Sequence, residues 1–372
     1  MSINTDWVHE SLAKAQAKIA AEVDRLDGGI PYIPTNGKYT DVGARDIAWW
    51  TNGFFAGLLW QLAHYTEDKK FSDAAEKIEE RLDEALSDFV GLHHDVGFMW
   101  LHTSVANYRK TGSARSLQRG LHAAAILSSR YNEAGQWLRA WNGNDTGLVI
   151  IDSMMNIPLL YWASQELNDT RYDSIARLHA DTISKYHVRA DGSVGHIGSF
   201  DPDNGEFIEI LGGQGYAADS SWSRGQAWAI YGFALSYHHT KDEYYLNTAK
   251  RVANYFIANV GATDWIPLVD FKAPAEPVIY DTSAGLIAAC GLLEIAEHVN
   301  ERERPTFYNA AVNIIQSTEK KYANWDNDVD SIIDGGTEAY HTVETRGVPL
   351  VYSDYYYVEA LLRLIDKDLF IW

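Results

Sequence analysis

Residues 221–261 read SWSRGQAWAIYGFALSYHHTKDEYYLNTAKRVANYFIANVG, and this stretch decides the fold. Apolar residues recur at helical spacing from 222 to 239 and again from 242 to 260, with Thr240-Lys241-Asp242 linking the two runs. Helices joined by so short a link lie antiparallel, as a hairpin. Similar links occur at Thr66-Glu67-Asp68-Lys69, Lys110-Thr111-Gly112-Ser113 and Asn168-Asp169-Thr170. Further helical stretches are predicted over 52–66, 71–90, 97–110, 114–131, 149–167, 170–187, 281–298, 305–321 and 354–366. Another runs from Asp6 to Leu26 and is ended by Gly28-Gly29.

A weak repeat follows the links. An aromatic residue or Leu is followed a turn later by a small residue, as in Phe71/Ala74-Ala75, Tyr172/Ala176, Tyr245/Ala249 and Phe307/Ala310-Ala311, with Leu117 in the remaining copy. About twelve helices in pairs permit an open solenoid or a closed ring of six hairpins. The copies fall at irregular intervals, whereas solenoid repeats keep a tighter period. The expectation is therefore an all-α fold, an (α/α)6 barrel. No Pro/Ser-rich linker divides the chain, so residues 1–372 read as a single domain.

With 31 basic against 51 acidic residues, the net charge of -20 excludes the basic footprint that a nucleic-acid partner requires. It also means that an anionic ligand must find its own local cation. No apolar run approaches the ~18 residues that span a bilayer, so no membrane association is expected. The start Met1-Ser2-Ile3-Asn4-Thr5-Asp6-Trp7 lacks a secretory pattern, and Cys290 is the lone cysteine; both favour the cytoplasm. Oligomeric state is not legible. Thirteen Trp is a heavy load, and Trp in short polar segments offers a flat face, for which sugar rings are natural partners.

Polar clusters stand where the first helix of each pair begins: Trp49-Trp50-Thr51-Asn52-Gly53, His93-His94-Asp95-Val96-Gly97, Ile151-Asp152-Ser153, Ser221-Trp222-Ser223-Arg224-Gly225-Gln226, Tyr280-Asp281-Thr282-Ser283 and Ser353-Asp354-Tyr355. Singly, each reads as a helix N-cap. Together, in a closed ring, they converge on one mouth, which is the expected active site. No HExxH or CxxC pattern supports a metal, no GxSxG elbow a serine nucleophile, and no phosphate loop is present. Neither a metal nor a cofactor is expected.

Carboxylates remain. Asp152 lies in the apolar run Leu148-Val149-Ile150-Ile151-Asp152-Ser153-Met154-Met155-Asn156, where desolvation should keep it protonated near neutrality. Asp95 is its counterpart one hairpin earlier, and two close carboxylates push their pKa values apart into an acid and a charged partner. Such pairs are the usual equipment of glycoside hydrolysis. Arg224, between Trp222 and Trp228, is the candidate cation for a carboxylate, with a structural salt bridge as its alternative. His196 sits in a polar loop, and Gln214 sits in Gly212-Gly213-Gln214-Gly215, where a ligand can approach the backbone.

The strings Trp50-Thr51-Asn52-Gly53-Phe54, His94-Asp95-Val96-Gly97-Phe98, Ile151 to Leu160 and Trp222 to Trp228 resemble the unsaturated glucuronyl hydrolases, family 88 of the glycoside hydrolases. So does Asp354-Tyr355-Tyr356-Tyr357-Val358-Glu359-Ala360-Leu361. The resemblance implies an (α/α)6 barrel acting on a 4,5-unsaturated uronate at the non-reducing end of lyase-generated oligosaccharides of glycosaminoglycan type. It implies hydration of the C4=C5 vinyl ether, with Asp152 protonating C4 and then acting as base, and Asp95 as the second essential aspartate. It also implies that His94, His196, Gln214, Trp222, Arg224 and Trp228 surround the unsaturated ring, with Trp50, Trp141 and Tyr340 as further binding residues.

Two departures stand out: Asn52 replaces a frequent Asp, and the stretch from Arg346 to Ser353 is short, which leaves sulfate preference open. The competing expectations are an unsaturated rhamnogalacturonyl hydrolase acting on pectin fragments, a sugar epimerase on the same barrel, and a noncatalytic glycan-binding toroid.

Overall fold

The computed structural model describes residues 5–372; the stretch 1–4, read above for the absence of a leader, lies outside the described residues. The helices are α1 (Asp6–Leu26), α2 (Phe54–Thr66), α3 (Lys69–Arg81), α4 (Asp83–Asp88), α5 (Val96–Trp100), α6 (Ala106–Thr111), α7 (Ala114–Ser128), α8 (Pro158–Leu167), α9 (Thr170–Tyr186), α10 (Ser223–Thr240), α11 (Glu243–Val260), α12 (Thr282–His298), α13 (Arg304–Tyr322) and α14 (Val351–Arg363).

Four hairpin links share one turn chemistry. Glu67, Gly112, Asn168 and Lys241 take the left-handed conformation, with φ of 56°, 75°, 51° and 55°, and so end the first helix of each pair. The next residue, Asp68, Ser113, Asp169 or Asp242, then caps the second helix by accepting from the backbone N–H of Lys70, Ser116, Arg171 or Tyr244. Two adjacent residues thus stop one helix and start its partner.

Burial separates the pairs into two rings. α10 is buried continuously from Ser223 to Ser236, α12 from Thr282 to Ala296, and α14 along its whole length. Helices apolar all round belong in the interior. The outer helices bury one stripe each: α3 buries Phe71, Ala74, Ala75 and Ile78, and α11 buries Tyr245, Leu246, Ala249, Val252, Ala253 and Phe256. The repeat noted in the sequence is this inward stripe of the outer ring. α2 packs on α3, α10 on α11, α12 on α13 and α8 on α9; α14 packs against both α12 and α2, closing the inner ring, and α1 lies against α14. The fold is the expected (α/α)6 barrel.

Several boundaries differ from expectation. The stretch 149–157 is not helical: it is a strand followed by a 3-10 turn at Ile151–Met155, and helix begins only at Pro158, whose fixed φ suits the first helical position. The segment 97–110 is interrupted by a π turn at Leu101–Val105, the segment 71–90 is divided at Leu82, and the last inner helix starts at Val351, three residues before the expected 354. Beside a short hairpin of β1 (Tyr131–Asn132) and β2 (Trp137–Leu138) stands an antiparallel sheet in the order β3 (Leu148–Ile150), β4 (Ile197–Phe200), β5 (Phe207–Leu211). No described helix is long and apolar enough to cross a membrane.

Candidate active site

The small sheet sets the site. β3 delivers the chain to Asp152, β4 is entered from His196, and β5 leads on to Gln214. Two main-chain contacts lock the register: Ile151 N–H donates to His196 O (3.1 Å), and Gln214 N–H donates to His196 Nδ1 (3.1 Å). Three residues far apart in sequence therefore meet at one mouth of the barrel. There Asp152 and Gln214 border a cavity of about 380 Å³, lined also by Tyr32, Trp49, Trp50, His93, His94, Asp95, Trp141, Ile150, Glu338, Ala339, Thr342 and Tyr352.

Asp152 is 13% exposed at its side chain, and its Oδ1 is buried without a hydrogen-bond partner. Burial, reinforced by the charge of Asp95, pushes its pKa up to about 8; Arg224 and the facing Trp228 indole oppose the rise. At neutral pH the carboxyl holds its proton. His196 Nε2 lies 3.7 Å away. Because His196 Nδ1 accepts from Gln214, the ring proton of the neutral imidazole sits on Nε2, facing the cavity side of Asp152. Burial holds that imidazole neutral, with its pKa lowered to about 3. His196 Nε2 also has no partner. An unpaired acid and an unpaired donor thus stand side by side, an arrangement that a bound polar ligand completes.

Asp95 begins α5 but makes no cap hydrogen bond. Its Oδ1 instead accepts from Asn156 Nδ2 (3.0 Å) and lies 3.1 Å from His94 Nε2. Asn156 ties the Asp95 carboxylate to the backbone of Asp152, because the same Nδ2 also reaches the main-chain oxygen of Asp152 (3.2 Å), and its Oδ1 accepts from Phe98 N–H (2.8 Å). His94 Nδ1 lies 2.9 Å from Ala140 O and must donate to it; burial lowers the His94 pKa to about 3, and its Nε2 has no hydrogen-bond partner. Burial raises Asp95, opposed by His93 and Asn156, while the charge of Asp95 in turn raises Asp152. The cap reading fails at both carboxylates and holds at Asp281, which accepts from Ser283 N–H (3.1 Å).

Of the other residues expected here, Trp50, His94, Trp141 and Gln214 line the cavity. Trp222 stands behind His196, ring centroids 4.3 Å apart, and Trp228 is fully buried beneath Asp152. Tyr340 is not a wall residue; it packs on Tyr216 and donates its N–H to Gln214 O (2.7 Å). Arg224 is 1% exposed and turns inward: Nη1 pairs with Asp281 (2.6 Å) and donates to Thr337 O (2.6 Å), and Nη2 donates to Glu338 O (2.6 Å). It braces the wall from behind while its charge is felt at Asp152.

The sequence reading missed Tyr32, Trp49, His93, Glu338, Thr342 and Tyr352, although Trp49 and His93 stood inside quoted clusters. Asn156 carried a usable signal, a polar residue in an apolar run. Asn52, one of the two departures noted above, is buried and donates to Asp46 O (2.9 Å) and Ile47 O (3.0 Å), fixing the loop before Trp49 and Trp50.

Among the described residues, two groups could converge on a cation. One is His93, His94 and Asp95; the other is His238, Glu294 and His298 at the far end of the inner helices. In the second, both imidazoles already bond Glu294 Oε1 at 2.8 Å and Arg363 holds Oε2, so it reads as an ion-pair network.

Comparison with known proteins gives this geometry its family. The profile of Glycosyl Hydrolase Family 88 matches residues 23–258. The chain is 38% identical over 330 residues to the unsaturated glucuronyl hydrolase of Bacillus sp. strain GL1, covering 85% of this chain and 86% of the relative. It is 32% identical over 371 residues to the unsaturated chondroitin disaccharide hydrolase of Streptococcus agalactiae, covering 96% and 91%. A solved structure of a UGL variant with dGlcA-Glc-Rha-Glc superposes with a TM-score of 0.91 at 33% identity, covering 96% of each chain. These matches make the chain a glycoside hydrolase, and it belongs to Glycosyl Hydrolase Family 88.

Proposed function

We propose that the enzyme releases a 4,5-unsaturated uronate from the non-reducing end of glycosaminoglycan-type oligosaccharides by hydrating the C4=C5 bond. The observation that carries this reading is Asp152: a carboxyl in the wall of an aromatic cavity, its Oδ1 without a hydrogen-bond partner and its pKa pushed up to about 8 by burial. Asp152 delivers its proton to C4, and the positive charge that develops at C5 is shared with the ring oxygen. Water then adds at C5 and returns a proton to Asp152. The resulting hemiketal opens to a C5 ketone, C1 becomes a hemiacetal, and the aglycone leaves as an alcohol.

Asp95 orders the ring hydroxyls together with His94, and its charge reinforces the burial that raises the pKa of Asp152. His196, Gln214 and Trp222 frame the unsaturated ring, Trp50 and Trp141 offer their faces, and Trp228 supports Asp152. Arg224 supplies positive potential for the uronate carboxylate from behind the wall, and Tyr340 fixes Gln214. The cytoplasmic assignment rests on the lone, buried Cys290, which implies no disulfide framework.

Incubation with an unsaturated chondroitin disaccharide tests the reading. Loss of the C=C absorbance must keep pace with release of the amino sugar. A released uronate that keeps its double bond would refute hydration.

A further inference from the structure

The cavity wall contains a third carboxylate, Glu338, which neither acid/base chemistry nor the carboxylate pair requires. It is held at both ends. Its main-chain oxygen accepts from Gln214 Nε2 (2.8 Å) and from Arg224 Nη2 (2.6 Å). Its side-chain Oε1 accepts from the hydroxyl of Tyr32, whose ring is stacked on Tyr352 and tilted against Trp49. A carboxylate this constrained presents its remaining acceptor positions in a fixed direction.

The charge of the wall is one-sided. Among the described residues that line the cavity there are three acidic side chains, Asp95, the protonated Asp152 and Glu338, and neither Lys nor Arg. The nearby guanidiniums are committed to the main chain. Arg130 donates to Arg139 O, Ala140 O and Trp141 O, and Arg224 to Thr337 O and Glu338 O. Arg346 donates through Nε to Tyr340 O (2.9 Å) while lying over the Tyr340 ring. None of these three guanidiniums lines the cavity.

Resting on the functional reading above, we propose that Glu338 is a specificity-determining residue that accepts a hydroxyl hydrogen bond from the substrate and selects an uncharged aglycone. A hydroxyl donates to a carboxylate, whereas a sulfate or second carboxylate in its place offers only acceptors and like charge. Tyr32 positions Glu338 for this role.

The test compares kcat/KM on unsaturated chondroitin disaccharides, one unsulfated and one 6-sulfated, for the wild type, Glu338→Gln and Tyr32→Phe. The wild type is expected to prefer the unsulfated substrate by ~10-fold or more, the scale of a like-charge contact in a partly desolvated site. Glu338→Gln removes the charge but keeps an acceptor, so the preference should collapse, mainly through a lower KM for the sulfated substrate. Tyr32→Phe, which frees the carboxylate, should narrow the preference less than Glu338→Gln does. Equal wild-type turnover of the two substrates, or an unchanged ratio in Glu338→Gln, overturns the filter alone. Failure of the wild type to cleave either substrate overturns the functional reading and the filter with it.

Discussion

Replacing Asp152 with Asn should sharply reduce catalysis and at the same time stabilise the protein, with the gain depending on pH in a defined direction. The folded state holds the Asp152 pKa at about 8, against an ordinary value of 3.8. Between these values the unfolded chain surrenders the proton while the folded chain keeps it. Stability therefore falls as pH rises through that window, by ~1.4 kcal/mol per pH unit. At neutral pH the accumulated cost is at most ~4 kcal/mol, and below the ordinary value it vanishes. Asn has the same shape and cannot ionise, so it escapes the cost.

Denaturant unfolding of both proteins should therefore show Asp152→Asn more stable near pH 8 and nearly equal near pH 4. Turnover should drop by ~10²–10⁴, the usual contribution of general acid/base catalysis. In the wild type, kcat/KM should decline as pH rises through about 8, as the acid loses its proton. A variant that retains more than a tenth of wild-type turnover, or a stability difference that does not grow with pH, would refute the reasoning.

Arg224→Ala should cost ~3–5 kcal/mol in a denaturant titration, because it strands the fully buried Asp281 without its partner. Arg224→Lys keeps the charge but cannot hold Asp281, Thr337 O and Glu338 O together, so KM should rise more than kcat falls; unchanged KM and stability would contradict the bracing role. Gly97→Ala would place a methyl 2.4 Å from Asn156 Cα and 2.6 Å from Asn156 Oδ1, forcing α5 away from the turn that carries Asp152. Steady-state kinetics should show a fall in kcat of ~10-fold or more, and wild-type kcat would show that the spacing of the carboxylates is not critical.

The parts of this molecule that were legible in sequence are those governed by local chemistry. A left-handed residue followed by Asp or Ser marks the hairpin turns, and the stripe from Phe71 to Ile78 or from Tyr245 to Phe256 marks the outer helices. The mouth was legible because its polar clusters recur at the starts of the inner helices. The β3 strand was not, since a short apolar run fits a buried helix as well as a buried strand. Ile150-Ile151 ahead of Pro158 was the available clue, with β-branched residues before a helix-starting proline. The wall formed by Tyr32 and Glu338 lies in loops without periodicity, and the two residues meet only because the ring closes. The inward commitment of Arg224 depends on Asp281, which the sequence marked only as a helix cap.

In the proposed mechanism Asp152 protonates C4 of the unsaturated uronate. Running the reaction in deuterium oxide and examining the released product by NMR tests it most directly. One solvent deuterium should appear at C4, on a single face, at the same rate as the C=C absorbance disappears. A product with no deuterium at C4, or one that keeps its double bond, would contradict it.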